Sequence, residues 1–196
     1  MVQKRVEALT NPHHLAMVSG YTERNEISED LYHQGIEHLI FGKNLKEKMD
    51  KKTFLEIQSH NDLKTLLEKS EQDESLRTCL KELVEKIISY TQETEEIFDL
   101  AGQDNIVFSK KGETWTYTLV DTLYPGEKMI GKTKIILLKL SMGNEIDNYE
   151  KNVLLNVFNF VRTVNGLAEQ IGIQKRITIV PEGMPQLPID FLKLIQ

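Results

Sequence analysis

Three side chains that offer hard oxygen ligands stand in order along one stretch of the chain: Asp99, Asn105 and Asp121. Asp99 and Asn105 bracket Asp99-Leu100-Ala101-Gly102-Gln103-Asp104-Asn105, and Asp121 closes Leu119-Val120-Asp121. An Asp and an Asn on one loop, with another Asp at the end of a returning strand, suit phosphoryl transfer. Mg2+ takes carboxylate and amide oxygens, and a further carboxylate can accept the proton of an attacking hydroxyl. Taken one by one, the same residues also read as a helix end, a loop-to-strand residue and a strand terminator.

A second pattern competes with the first. Gly126-Glu127-Lys128-Met129-Ile130-Gly131-Lys132-Thr133 spells G-x-x-x-x-G-K-[ST]. In a phosphate-binding loop of this kind, backbone N–H groups wrap the phosphates, Lys132 would neutralise their charge, and the Thr133 hydroxyl would bind Mg2+. Such a loop leaves a buried parallel strand and enters a helix. Here the preceding strand alternates like a hairpin arm, Thr122 to Pro125 intervene, and no later apolar strand ends in Asp. The competing reading is a solvated turn carrying Glu127, Lys128 and Lys132.

Other polar features read as ordinary surface or packing. His13-His14, and His33 with His38 at i, i+5, do not share a helix face and are expected in solvent. Cys79 lies near a buried stripe and reads as a packed thiol. Lys43 to Lys52 reads as a solvated helix face. Asn148, Asn152, Asn156 and Asn159 line one helix, although Asn is a poor helix former.

The elements that would position these residues follow from periodicity. Residues 10–27 read as loop, and Ser28 caps a helix whose apolar positions run Leu31, Tyr32, Ile36, Leu39 and Ile40, ending at Gly42. Helical signal returns at 44–57 and 61–69. The strongest helix is 74–95, with Leu76, Leu80, Leu83, Val84, Ile87 and Ile88 on one face behind Asp73 as N-cap. The period then changes to two: Ile106-Val107-Phe108, a Lys110-Lys111-Gly112 turn, and Trp115, Tyr117 and Leu119 predict a β-hairpin ending at Asp121. Ile135 to Leu138 is an apolar run that periodicity leaves unassigned. A second long helix spans about 148–171, capped by Gly172. Ile177 to Val180 reads as a strand. The expected class is α+β, predominantly helical.

Composition narrows the function classes. The chain has 196 residues, a formal net charge of −6, 40% hydrophobic residues and one Cys. That length suits a single domain, and the acidic balance disfavours non-specific binding to nucleic acid or anionic lipid. A lone Cys cannot form an internal disulfide. With no apolar stretch of leader or membrane-spanning length, the expected compartment is the cytoplasm, with neither nucleic-acid nor membrane partners.

On these residues, the stretch 74–125 resembles the C-terminal lobe of the protein-kinase-like superfamily, including its aminoglycoside-phosphotransferase-like branch. The long helix resembles the one before the catalytic loop, D-L-A-G-Q-D-N-I-V resembles D-L-x-x-x-N-I-L, and L-V-D resembles the metal-binding Asp motif. The resemblance implies Asp99 as catalytic base, Asn105 as a Mg2+ ligand, Asp121 as the principal Mg2+ ligand, and ATP as the nucleotide. It divides the single domain into a hinge-like strand within 1–9, helices in 10–73, the helix, loop and hairpin of 74–125, and C-terminal helices and tail in 126–196. The departures are specific. Ile97 stands where the family has His, the Asp-to-Asn interval is one residue long, and Thr122-Leu123 replace Phe-Gly. No Gly-rich strand pair with its Lys precedes Asp99. The implied protein is a truncated or degenerate phosphotransferase lobe, inactive alone, with weak nucleotide and Mg2+ binding. The alternatives are a helical protein-interaction module, whose partner could be the missing N-lobe, and a nucleotide-binding loop at 126–133.

Overall fold

A backbone whose apolar residues recur at helical spacing over most of its length must bury several helix faces against one another. In the computed structural model, which describes residues 15–16, 29–42, 48–58, 61–100, 105–120, 127–180 and 183, the fold is mixed α+β and mostly helical. The order is β1 (Leu15–Ala16), α1 (Glu29–Leu39), α2 (Lys51–Gln58), α3 (Asn61–Gln72), α4 (Glu74–Thr94), β2 (Ile106–Lys111), β3 (Thr114–Leu119), α5 (Met129–Ser141) and α6 (Asn148–Ile171). One hydrophobic cluster runs from Ile36 to Ile179.

The long helix α6 is its axis. Asp147 and Glu150 form a reciprocal capping box at its start, and Gly172 ends it at φ 82°. Its apolar face is buried as the spacing predicts, but from Phe160 to Glu169 every residue is buried. A helix buried on all sides must be surrounded, and α6 packs against α1, α2, α4 and α5. Gly166 makes one of these approaches feasible. A Cβ there would stand 2.1 Å from Cε2 of Phe54, a fully buried ring on α2. Gly166→Ala should therefore overpack the α2–α6 contact. The better helix propensity of Ala offsets part of the cost, leaving a net loss of about 2 kcal/mol. Urea unfolding with an unchanged m-value reads it, and Phe54→Leu in the same chain should recover part of the loss. A single variant as stable as the parent would mean that the contact is loosely packed.

Helix α4 carries the hairpin. The Asp73 side chain caps it by accepting from Ser75 N–H (3.0 Å) and Leu76 N–H (3.2 Å), and also takes Lys110 Nζ (2.8 Å) and Trp115 Nε1–H (2.7 Å). The bonds from Lys110 and Trp115 hold the Asp73 carboxyl well below the usual range. Across the hairpin, Ile106 pairs with Leu119 and Lys111 with Thr114. Gly112, at φ +62°, supplies the backbone the two-residue turn requires.

Several expectations change. Leu15–Ala16, read as loop, pairs antiparallel with Phe108 and Val107 as a third strand. Residues 48–50 are not helical, so α2 starts at Lys51. The run Ile135–Leu138 is helical, and β3 stops at Leu119, which is 43% exposed rather than packed. Ile177–Val180 forms no strand. Instead, the buried Asn165 amide bonds both backbone groups of Ile177, accepting from its N–H (2.8 Å) and donating to its carbonyl (3.0 Å). The hinge-like segment 1–9 and the Ser28 cap lie outside the described residues.

Candidate functional site

The residues after α4 are placed by burial on both sides of Asp99. Ile97, Phe98 and Leu100 are buried, and Phe98 meets Tyr90 of α4 edge-on at 5.1 Å. Asp99 is half-buried between them. Asn105, at the foot of β2, is buried, and its Nδ2 donates to the Asp99 carbonyl at 2.9 Å. Its own carbonyl accepts from Val120 N–H at 2.9 Å, extending the hairpin ladder by one pair. Asp99 and Asn105 are thus brought together. Val120, the covalent neighbour of Asp121, is bonded to Asn105; Asp121 itself, with 101–104, lies outside the described residues. The amide oxygen of Asn105 accepts no bond from another described residue, which leaves a hard donor of the kind that Mg2+ takes.

Of the second pattern, residues 127–133 are described. Its C-terminal half is the first turn and a half of α5, and Gly126 lies outside the described residues. Thr133 is wholly buried, so its hydroxyl does not reach a surface where a solvated metal could bind. Lys132 Nζ donates to Tyr149 Oη (2.7 Å) and to Glu127 (2.9 Å). These two bonds raise the Lys132 pKa, and the ammonium lowers that of Glu127. The lysine serves a local surface network, close to the solvated-turn reading. The strand before it is one arm of an antiparallel hairpin, as its alternation predicts.

A buried polar cluster was not legible as such. His38, expected in solvent, is buried on α1 and places Nε2 3.0 Å from both carboxylate oxygens of Glu169 on α6. Glu169 also accepts from Arg176 and from Met49 N–H, while Gln170 Nε2 donates to the Met49 carbonyl at 2.9 Å. Burial pushes the Glu169 carboxyl up, but the bonds from Arg176, His38 and Met49 outweigh it, and the net shift is downward. The cluster ties α1, the entry to α2, α6 and the segment after it; Arg176 Nη1 is the one buried atom in it without a hydrogen-bond partner among the described residues. On the polar side of α6, Asn159 accepts from Arg162 (3.1 Å), whereas Asn148 and Asn152 are exposed.

Cys79 is buried, and burial pushes its thiol up to about 11, which fits a packed thiol. It borders an open crevice of about 300 Å3 between α4 and β3, with Glu74, Glu82 and Trp115 among the lining residues. Glu82 there is paired with Lys86 at 2.6 Å. Among the described residues, no group of three His, Cys, Asp or Glu side chains is placed to hold a metal ion, and no helix is long and apolar enough to cross a membrane. No family model, curated protein or solved structure matches this chain.

Proposed function

We propose that this chain is a phosphotransferase-like lobe of protein-kinase-like type, in which the loop between α4 and β2 binds a nucleotide weakly through Mg2+. The observation that carries this reading is the bond from Asn105 Nδ2 to the Asp99 carbonyl at 2.9 Å. It draws the loop ends together and turns the oxygen of the amide away from that bond. In this reading Asn105 Oδ1 and the Asp121 carboxylate hold Mg2+, which would neutralise phosphate charge, and Asp99 receives a proton from the acceptor hydroxyl. The length of the Asp99-to-Asn105 loop and the absence of the family His fit weak binding better than efficient turnover.

Mn2+ with ATP tests the reading, because the paramagnetic ion broadens NMR signals near its site. Broadening centred on Leu100, Asn105 and Val120, and lost in Asn105→Ala, is the expected result. At ten times the dissociation constant, ligand adds about 1.4 kcal/mol to stability, a rise of roughly 3–6 °C in Tm for a chain of this size. No broadening at the loop and no nucleotide-dependent Tm shift would refute it.

One observation favours the non-enzymatic alternative. Ile135 and Leu138 of α5 and its C-cap residue Met142 lie at i, i+3 and i+7 and are 62%, 40% and 70% exposed. Exposed apolar stripes of this kind commonly meet a protein partner. An unchanged Tm with Mg2+-ATP, together with retained folding, would move the assignment to that class.

A further inference from the structure

Glu95 ends α4 in the left-handed conformation, φ 63°, where glycine carries no Cβ penalty. It is the one non-glycine residue with positive φ among the described residues. A side chain at such a position is disfavoured, because its Cβ crowds the following carbonyl oxygen.

The N–H of Glu95 donates back to the Thr91 carbonyl of α4 at 2.9 Å, and its other contacts reach the first turns of α5. The Glu95 carbonyl accepts from Ile130 N–H at 3.0 Å. Its Oε1 accepts from Lys134 Nζ at 3.1 Å. Its Oε2 lies 2.8 Å from where a Cβ on Gly131 would stand. The carboxylate therefore sits beside the positive end of α5, whose N-cap residue, Lys128, makes no side-chain cap bond. A side chain at 131 would meet the Glu95 carboxylate and displace the flexible end of that side chain from Lys134.

The topology gives this latch a position next to the candidate site. From Glu95 the chain runs through Ile97 and Phe98 to Asp99, then to Asn105 and around the hairpin to Val120. Val120 is tied back to Asn105, and the start of α5 is tied back to Glu95. The segment 95–105 is thus held at both ends by the two parts of the chain that follow the hairpin.

We infer that Glu95 is a positioning residue for the Asp99–Asn105 site, holding the start of α5 against the end of α4 so that Asp99 and Asn105 keep their relative placement. The inference rests on the proposed function for its ligand, but its mechanical half can be read without any ligand. Glu95→Gly keeps the left-handed backbone, relieves the Cβ penalty and removes the carboxylate. The overall fold should survive, as reported by unchanged exchange at the Val157 amide of α6.

Amide hydrogen exchange in the ligand-free protein should then accelerate at least tenfold at Ile130 and measurably at Val120. The pair Glu95→Lys with Lys134→Glu restores the ion pair in reverse but sets an ammonium at the positive end of α5, so it should return both only part of the way toward the parent rates. In the parent, Mn2+-ATP should bind several-fold more tightly than in Glu95→Gly. Unchanged exchange at Ile130 would overturn the latch, and a change at Ile130 without one at Val120 would overturn its positioning role. Equal Mn2+-ATP affinity in parent and variant would also overturn that role. If the parent itself binds no Mn2+-ATP, the functional reading fails, and the exchange at Ile130 and Val120 alone decides whether Glu95 holds the loop.

Discussion

Glu169→Ala should destabilise the fold by about 3–5 kcal/mol, the range for removing one partner of a buried charge cluster. For a chain of this size the loss lowers Tm by roughly 10 °C. Glu169 is 5% exposed and receives His38, Arg176 and the Met49 N–H. Removing the carboxylate leaves Arg176 without its counter-charge and Met49 N–H without an acceptor, beside a cavity. Glu169→Gln keeps the shape and one acceptor oxygen, so it should fall between alanine and the parent. Urea unfolding monitored by circular dichroism separates the three.

The pH dependence has a definite sign. The folded Glu169 carboxyl titrates below its ordinary value of 4.5. Its folded state therefore binds fewer protons than its unfolded state between the two values. The stabilisation is present above the unfolded value and is lost as pH falls through the lower folded one. Glu169→Gln should consequently flatten the acid limb of the stability profile. An acid limb identical to that of the parent would show that other carboxylates carry the acid transition.

How far the sequence reveals this arrangement depends on what each pattern measures. Helices α4 and α6 were legible because their apolar stripes hold 3.6 periodicity for several turns, and the hairpin because the period switches to two. The fate of the opposite face of α6 was not legible. Arg162, Asn165 and Glu169 fall at i, i+3 and i+7, the spacing of a solvent-facing polar stripe, yet all three are buried. Periodicity reports which face is apolar; whether α1 and the segment after α6 also cover the polar face depends on tertiary topology.

The spacing of His33 and His38 says nothing of the burial of His38 for the same reason, since its partner lies 131 positions away in sequence. Ile177–Val180 reads as a strand and forms none, because a β-rich apolar run satisfies the strand pattern even where a side chain supplies the backbone bonds. At the candidate site, residue type and order marked Asp99 and Asn105, but the bond joining them depends on the loop path. The latch at Glu95 left no periodic trace, because a left-handed glutamate is set by backbone geometry alone.

Asn165→Ala should cost about 3–6 kcal/mol, comparable to the loss of Glu169. The Asn165 amide is buried and makes three bonds: Nδ2 to the Leu39 carbonyl (2.7 Å), Nδ2 to the Ile177 carbonyl (3.0 Å), and Oδ1 from Ile177 N–H (2.8 Å). Each group left buried without a partner costs about 1–3 kcal/mol. Asn165→Leu fills the volume but satisfies none of the three groups, so it should recover only the cavity part of the loss. If instead leucine matches the parent, the two backbone segments must find solvent or each other once the amide is gone.

Hydrogen exchange distinguishes those cases at one atom. The Ile177 amide should be protected in the parent and should exchange at least tenfold faster in both variants, even where α6 keeps its protection. Because Ile177 has no strand partner among the described residues, Asn165 does for this segment what a neighbouring strand does in a sheet. A single side chain thereby fastens the chain after α6 over the helix and, through Leu39, fastens the end of α1 to the same point.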